Sequence, residues 1–146
     1  MSLLIINQSD IRVPRSYLEQ AFGEACKYLK RKKIISKPIK ELTIVFMNSS
    51  PAQKINYKFR KKNYATDVLS FESKDPESYG ELIFCSQVIK KQSVQHDLTF
   101  RDEIVYMLYH GLLHLLGFEH EGQPTKARKM FKIQDEMFEL FLNKTD

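Results

Sequence analysis

The spacing of apolar residues predicts a chain that mixes short strands with amphipathic helices. Runs rich in β-branched and aromatic residues predict strands at residues 3–6, 42–47, 68–72 and 81–84, the last two paired as a hairpin. Apolar residues that recur every three or four positions predict helices at residues 16–33, 49–60, 86–92 and 98–116, and a final helix that opens at Pro124. Because these elements do not follow a strict βαβ alternation, the pattern favours an α+β domain, with helices packed on a small mixed sheet of about four strands.

The helix at 98–116 is predicted to lie at the centre of this domain. Its apolar residues cover much of its circumference, as is typical of a buried helix. Thr99 and Asp102 form a start that resembles a capping box. A chain of 146 residues is long enough to bury such a helix in one core, so we expect a single domain over residues 1–146.

Three of the four histidines lie at the end of this helix and just beyond it. His110 and His114 are four positions apart, so on a helix they project from one face, roughly 6 Å apart at their bases. Gly117 follows where a left-handed glycine can end the helix, so that the chain can turn back and bring His120 to the same point. Three imidazoles with a fourth position open form the arrangement of a catalytic zinc site. We therefore predict one Zn²⁺ per chain on these three histidines, although nickel, copper and iron also bind such nitrogens.

The residue after the first histidine separates this pattern from that of a zinc peptidase. In zincin-type proteases a glutamate at that position is the general base, and here the position holds Gly111. The helix therefore supplies metal ligands without the usual base. A zincin-like peptidase remains an alternative function, but the stretch is better suited to other hydrolytic chemistry.

Taken whole, the segment His110-Gly-Leu-Leu-His-Leu-Leu-Gly-Phe-Glu-His120 resembles the signature of the bacterial YbeY family, the endoribonucleases of rRNA maturation. The family pattern is His-Gly-x-x-His-Leu-x-Gly-Tyr/Phe-Asp-His, and this chain departs from it at Glu119. Two further family segments are resembled in the same order, Arg60 with Ala65-Thr-Asp-Val-Leu-Ser-Phe71, and Gly80-Glu-Leu-Ile83. The resemblance implies an α+β fold and a zinc-dependent endoribonuclease that is directed at single strands. It also implies a role at the 16S 3′ end in rRNA maturation, and in ribosome quality control.

A basic run surrounds Arg60, and it has two explanations. Such runs are usually solvated surfaces. The alternative is a phosphate clamp, because the planar guanidinium matches two phosphate oxygens at once. The family resemblance favours the clamp for Arg60, which we predict to be catalytic and to bind substrate. For Lys61 and Lys62 we predict sequence-independent attraction to the RNA backbone.

Three carboxylates are candidates for acid–base chemistry or for orienting a histidine. Asp67 precedes a strand, where turn chemistry alone explains it, but it also suits the mouth of the site as a proton shuttle or as a partner of a histidine. Glu81 opens the fourth strand and has the same two explanations. Glu103 lies seven residues before His110 on the same helix face, where it either orients a ligand or faces the helix dipole.

Composition supports a nucleic-acid partner without requiring one. The formal net charge of +5 suits a polyanion, so RNA and the ribosome are the expected partners, and we expect neither DNA nor a membrane. The apolar start of the chain is too short for a signal or a membrane span. Cys26 and Cys85 are therefore expected as free thiols in a reducing cytoplasm. A ribosome assembly factor with a structural zinc is a further alternative function.

Overall fold

Four strands and five helices make up the part of the chain that the computed structural model describes, residues 2–37 and 40–145. The strands are β1 (Ser2–Asn7), β2 (Glu41–Met47), β3 (Val68–Glu72) and β4 (Gly80–Cys85). The helices are α1 (Arg15–Arg31), α2 (Ser49–Arg60), α3 (Ser86–Gln95), α4 (Phe100–Leu115) and α5 (Pro124–Thr145). Every predicted element is present. The largest difference in bounds is at α3, which continues to Gln95 through Ser93 and an exposed Val94 that do not extend the apolar periodicity.

The strands form one mixed sheet in the order β1-β2-β4-β3. β1, β2 and β4 are parallel, and β3 pairs antiparallel with β4, which confirms the predicted hairpin. Val68 faces Phe84 in this pair, and Leu69 faces Ile83. The predicted α+β class is confirmed, and β3 lies at an edge of the sheet with one side unpaired.

Alternation along the strands gives the sheet two buried faces, because successive side chains point to opposite sides. One face packs against α1, α4 and α5 in the main core and carries Ile44, Phe46, Leu82 and Phe84. The other face lies under α2 and carries Val45, Met47, Leu69 and Ile83. The sheet therefore separates α2 from the central helix, and residues of both helices line one cleft beside the edge strand β3.

The helix α4 lies at the centre of the main core, as its apolar circumference predicts. Its N-terminus is capped as expected, because the Thr99 hydroxyl accepts a hydrogen bond from the Asp102 N–H at 3.2 Å. Near its other end, Gly111 approaches β4 so closely that an added Cβ would lie 2.8 Å from Cδ2 of Leu82. This contact holds the histidine-bearing end of α4 against the sheet.

Both cysteines are buried and unpaired, in agreement with the expectation of free thiols. Burial raises the pKa of the Cys26 thiol to about 11, which keeps it protonated and unreactive. Within the two described ranges, no helix combines the length and the apolar character that crossing a bilayer requires.

Candidate metal centre

The helix α4 ends in a reversal that returns the chain to its own last turn. Gly117 has a φ of +97°, a left-handed conformation that glycine adopts without strain. Its N–H donates to the His114 carbonyl at 3.0 Å, and the Phe118 N–H donates to the Leu113 carbonyl at 3.0 Å. These are the two hydrogen bonds of a Schellman motif. The predicted glycine stop is present, and it brings His120 back beside α4.

The structure brings the three predicted ligands together. His110, His114 and His120 each offer one nitrogen, and these nitrogens lie within 4.8 Å of one another. The ring centroids are 4.6 Å apart for the helical pair and 4.8 Å apart for each pair that includes His120. All three side chains are half-buried at the wall of one cleft. The donors are therefore close enough to share one ion and open enough to leave space beside it.

Hydrogen bonds on the far side of two rings fix their tautomers. Nδ1 of His114 lies 3.0 Å from the Phe118 carbonyl, which only accepts, so this nitrogen carries the proton. Nδ1 of His110 lies 3.0 Å from Oε1 of Gln134. The Gln134 amide nitrogen donates to the Tyr106 carbonyl at 3.2 Å, which sets the orientation of the amide and leaves Oε1 as the acceptor. Both rings therefore keep an unprotonated Nε2.

The two unprotonated nitrogens face each other. Nε2 of His110 and Nε2 of His114 are 3.1 Å apart, a distance at which two lone pairs repel unless a cation lies between or beside them. Nδ1 of His120 is buried and has no hydrogen-bond partner in the described part of the chain. Metal-ligating histidines usually donate their other N–H to a carbonyl or carboxylate, as two of these rings are placed to do. The residues present therefore fit a resident transition metal.

The local electrostatics favour the neutral rings that a metal needs. Burial lowers the pKa of His110; the neighbouring His120 lowers it further, while the bond to Gln134 and the carboxylate of Asp67 oppose the shift. Burial also lowers the pKa of His114, and the two other imidazoles add to that effect. Because a metal binds the neutral imidazole, these shifts reduce the competition from protons near neutral pH.

The histidines open into a cleft of about 1100 Å³ between the end of α4, the edge strand β3, the C-terminus of α2 and the start of α5. Two of the predicted substrate-binding residues line it, Arg60 and Lys62. Lys61 does not line this cleft. It ends α2 in a left-handed conformation with a φ of +59°, and its ammonium lies 6.0 Å from the centre of the Tyr57 ring. The basic run is thus divided, with alternate cations facing the cleft.

Asp67 lines the same cleft and is held by three hydrogen bonds. Oδ1 accepts from the Val68 N–H at 2.8 Å and from the Thr66 hydroxyl at 3.3 Å, and Oδ2 accepts from the Gln92 amide at 3.2 Å. The turn-forming role and the position at the mouth of the site are therefore both present. The carboxylate is near enough to His110 to raise the pKa of that ring, but no hydrogen bond joins the two among the described residues.

The structure places the other two carboxylates away from the histidines. Glu81 shares a sheet face with Ile83, under α2, whereas Leu82 points to α4. Glu103 is fully buried, and its Oε1 lies 2.8 Å from Nδ1 of His96. Seven residues along a helix amount to about 10 Å, which separates Glu103 from His110. Neither carboxylate lines the cleft, so the alternative in which Glu103 orients a metal ligand is not supported. His96, the fourth histidine, is half exposed but anchored by this pair.

Three residues at the site or in the structure that supports it carry no local sequence motif. Gln134 accepts a hydrogen bond from His110, a predicted metal ligand. The only feature of the sequence that could have indicated this role is a polar residue on the buried face of α5, between Met130 and Phe141. Phe131 stacks on His110 with centroids 6.0 Å apart. Asn56 is fully buried and donates to the Tyr64 carbonyl at 2.8 Å, which fixes the loop that joins α2 to β3.

Comparison with known proteins finds relatives along nearly the whole chain. A family model described as Endoribonuclease YbeY matches residues 4–141. A protein named Endoribonuclease YbeY from Bdellovibrio bacteriovorus is 50% identical over 146 residues, which cover 99% of this chain and 97% of that protein. A relative of the same name from Mesoplasma florum is 31% identical, over 96% of this chain and 86% of its own length.

The fold is also that of a solved structure. The solution structure of TM1509 from Thermotoga maritima is similar with a TM-score of 0.68, over 98% of this chain and 91% of that one, at 23% sequence identity. This likeness concerns the fold alone. The family model spans nearly all of the described residues, and the relatives match over most of their own length. The chain therefore belongs to the Endoribonuclease YbeY family.

Proposed function

We propose that this protein is an endoribonuclease that uses one Zn²⁺ per chain and acts on single-stranded segments of rRNA, including the 16S 3′ end. The observation that carries the metal dependence is the pair of unprotonated Nε2 atoms 3.1 Å apart, with His120 beside them, at the wall of an open cleft. The relatives' name supports RNA cleavage. The role at the ribosome, in maturation and quality control in the cytoplasm, follows from the resemblance, with the net charge of +5 as support.

Each residue of the site has a distinct task in this proposal. His110, His114 and His120 hold the ion, which supplies Lewis acidity at the scissile phosphate when bound. Arg60 donates to the phosphate oxygens on which negative charge develops during cleavage. Asp67, anchored as a carboxylate in the same cleft, accepts the proton of the attacking hydroxyl.

Two nucleophiles are compatible with this arrangement. Attack by a water molecule produces a 5′-phosphate end. Attack by the adjacent ribose 2′-hydroxyl produces a 2′,3′-cyclic phosphate end. Analysis of the product ends distinguishes the two routes, because each route leaves a different phosphate. Only the second route also requires the 2′-hydroxyl at the cleaved position.

The position of Gly111 argues against peptidase chemistry. An added Cβ there points at Leu82 on β4, 2.8 Å from its Cδ2, and so away from the cleft. A glutamate at this position would have to enter the core before it reached the metal. Packing as well as sequence therefore argues against a zincin base at position 111.

The test combines metal analysis with cleavage of a structured rRNA fragment, before and after chelation. We expect about one zinc per chain, as three protein ligands bind one catalytic ion. Chelation should abolish cleavage and added zinc should restore it. His114→Ala should lose most of the zinc and the activity. His96→Gln is the matched control, because the fourth histidine lies outside the cluster and should leave both unchanged.

Different failures point to different alternatives. Full zinc occupancy in His114→Ala would remove that residue from the ligand set. Cleavage of casein instead of RNA would favour a peptidase. Ribosome binding with bound zinc but no RNA cleavage would favour an assembly factor with a structural metal.

A further inference from the structure

Phe131 is an aromatic side chain at the metal centre that has no task in the mechanism above. It lies on α5, and its ring stacks on His110 at an interplanar angle of 28°, with centroids 6.0 Å apart. It meets the His120 ring edge-on at 5.8 Å. Its neighbours on the helix, Met130 and Gln134, are fully buried, but Phe131 is 37% exposed and lines the cleft. One part of the Phe131 ring thus contacts His110 and His120, the predicted metal ligands, and the rest is free to contact substrate.

A second group of rings lies at the wall formed by α2. Phe59 is 58% exposed and lines the cleft beside Arg60. The Phe59 ring contacts the ring of Phe71 on β3 in a T-shaped arrangement, with centroids 5.2 Å apart and an interplanar angle of 71°. Tyr64, which is 53% exposed, lines the same wall. Exposed aromatic side chains gathered at one cleft are typical of a binding surface and are unusual on an inert one.

Cations alternate with these rings. The Lys58 ammonium lies 5.4 Å from the centre of the Phe59 ring, and Arg60 and Lys62 enter the cleft from the same segment. Single-stranded nucleic acid needs this combination, because its phosphates contact cations while its unpaired bases stack on aromatic faces. A duplex keeps its base faces stacked inside and cannot use the rings.

We infer that Phe131 and Phe59 are base-stacking residues, which hold unpaired nucleobases on the two sides of the scissile phosphate. Phe131 holds the base that lies against the metal centre, and Phe59 holds the base on the side of Arg60. Neither residue touches the reacting bond. They set which RNA enters the cleft and where it is cut, and this inference rests on the proposed endoribonuclease function.

The experiment pairs each residue with one base. Single-turnover cleavage is measured on single-stranded RNA oligonucleotides in which one abasic nucleotide is moved stepwise across the cleaved bond. In the wild-type protein, an abasic nucleotide next to the bond on either side should lower kcat/KM by roughly 5- to 150-fold, the range of one base–aromatic stack.

The variants should remove these penalties one at a time. Phe131→Leu should cleave intact RNA more slowly by a similar factor. At one of the two positions, the abasic nucleotide should then cause no further loss of kcat/KM in this variant. Phe59→Leu should abolish the penalty at the other position. Phe131→Tyr keeps a ring and should retain the wild-type penalty. Tyr57→Leu is the matched control, because Tyr57 is 55% exposed on the same helix as Phe59 but does not line the cleft.

The outcomes separate this inference from the function on which it rests. Wild-type abasic penalties in both leucine variants would overturn the stacking roles and leave the endoribonuclease proposal intact. Zinc is measured on the same samples, and loss of zinc from Phe131→Leu would show that this ring only shields the ligands, which also overturns its stacking role. If the zinc-loaded wild type cleaves no RNA at all, the proposed function fails and the inference fails with it.

Discussion

The carboxamide of Gln134 joins two groups through one side chain. It accepts from Nδ1 of His110 at 3.0 Å and donates to the Tyr106 carbonyl at 3.2 Å. Because the carbonyl only accepts, the amide has one orientation and the His110 proton stays on Nδ1. A single buried residue thus sets both the ring orientation and the tautomer of His110, a predicted metal ligand.

Replacing this amide should weaken metal binding without removing a ligand. Gln134→Met keeps the length and the buried volume but cannot accept the ring N–H. We expect zinc affinity to fall by about 10- to 100-fold, the usual effect of losing a partner that orients a ligand. Competition with a chromophoric chelator measures it. Gln92→Met, which removes an amide from Asp67 instead, should leave the affinity unchanged. Equal affinities in wild type and Gln134→Met would contradict the orienting role.

Arg60 should contribute to the rate more than to binding. Lysine keeps the charge but loses the planar donor pair, so Arg60→Lys should still bind RNA. Cleavage should slow by about 10²–10³, as when one preorganised donor to a developing oxyanion is lost. Single-turnover rates, fluorescence anisotropy and zinc content on the same samples separate the effects. Wild-type rates in both Arg60→Lys and Arg60→Glu would exclude Arg60 from the reaction.

Local patterns predict the ligands but not their partners. The three histidines lie within eleven residues, so helical spacing and one glycine are enough to bring them together. Gln134 lies 24 residues beyond His110 on another helix, and its role depends on how α5 packs. Glu103 shows the converse, because its sequence spacing suggests the site while its contact is with His96.

The helix α4 lies so close to β4 at Gly111 that adding one methyl group there should change the stability of the protein. Gly111→Ala would place a Cβ 2.8 Å from Cδ2 of Leu82, and such overpacking costs about 1–3 kcal/mol of unfolding free energy. This cost exceeds the gain of roughly 0.5–1 kcal/mol from alanine in a helix. The control is Gly23→Ala in α1, where no atom of the described chain lies within 4 Å of the added Cβ. That variant should be stabilised.

Urea unfolding of both variants in the presence of chelator gives the comparison without a contribution from bound metal. Stabilisation of Gly111→Ala by as much as Gly23→Ala would mean that α4 or the Leu82 side chain shifts without a measurable cost. The same result would weaken the packing argument against a base at position 111.

Periodicity predicts the elements better than their arrangement. The strands and helices follow from apolar spacing, because that spacing records which faces are buried. It does not record which strands are neighbours, and the insertion of β4 between β2 and β3 therefore could not be predicted. That order puts β3 at the edge beside α4 and so carries Asp67 into the cleft, while Glu81 on the adjacent strand faces α2.

The positive charge of the whole chain should act on RNA mainly through the cations in the cleft. Lys62 lines the cleft and Lys61 contacts Tyr57 outside it. Lys62→Gln should therefore reduce the slope of log K against log salt by about 0.7, the effect of one phosphate contact on a single strand. Lys61→Gln, a matched loss of charge one residue away, should change the slope less. Identical slopes in the two variants would assign the salt dependence to net charge alone.

The three histidines are close together in the sequence, and this affects the order in which the parts of the site form during folding. Closing a loop as short as the one between His114 and His120 costs little chain entropy, so the donors can gather once the end of α4 has formed. Arg60 and Asp67 reach the cleft only after β3 has paired with β4 and α2 has docked. A misfolded chain could therefore hold the proposed metal while lacking Arg60 and Asp67, the residues proposed to act on RNA. If zinc is the bound ion, as proposed, zinc content counts the chains that have formed this reversal, and the number of active molecules has to be obtained from turnover.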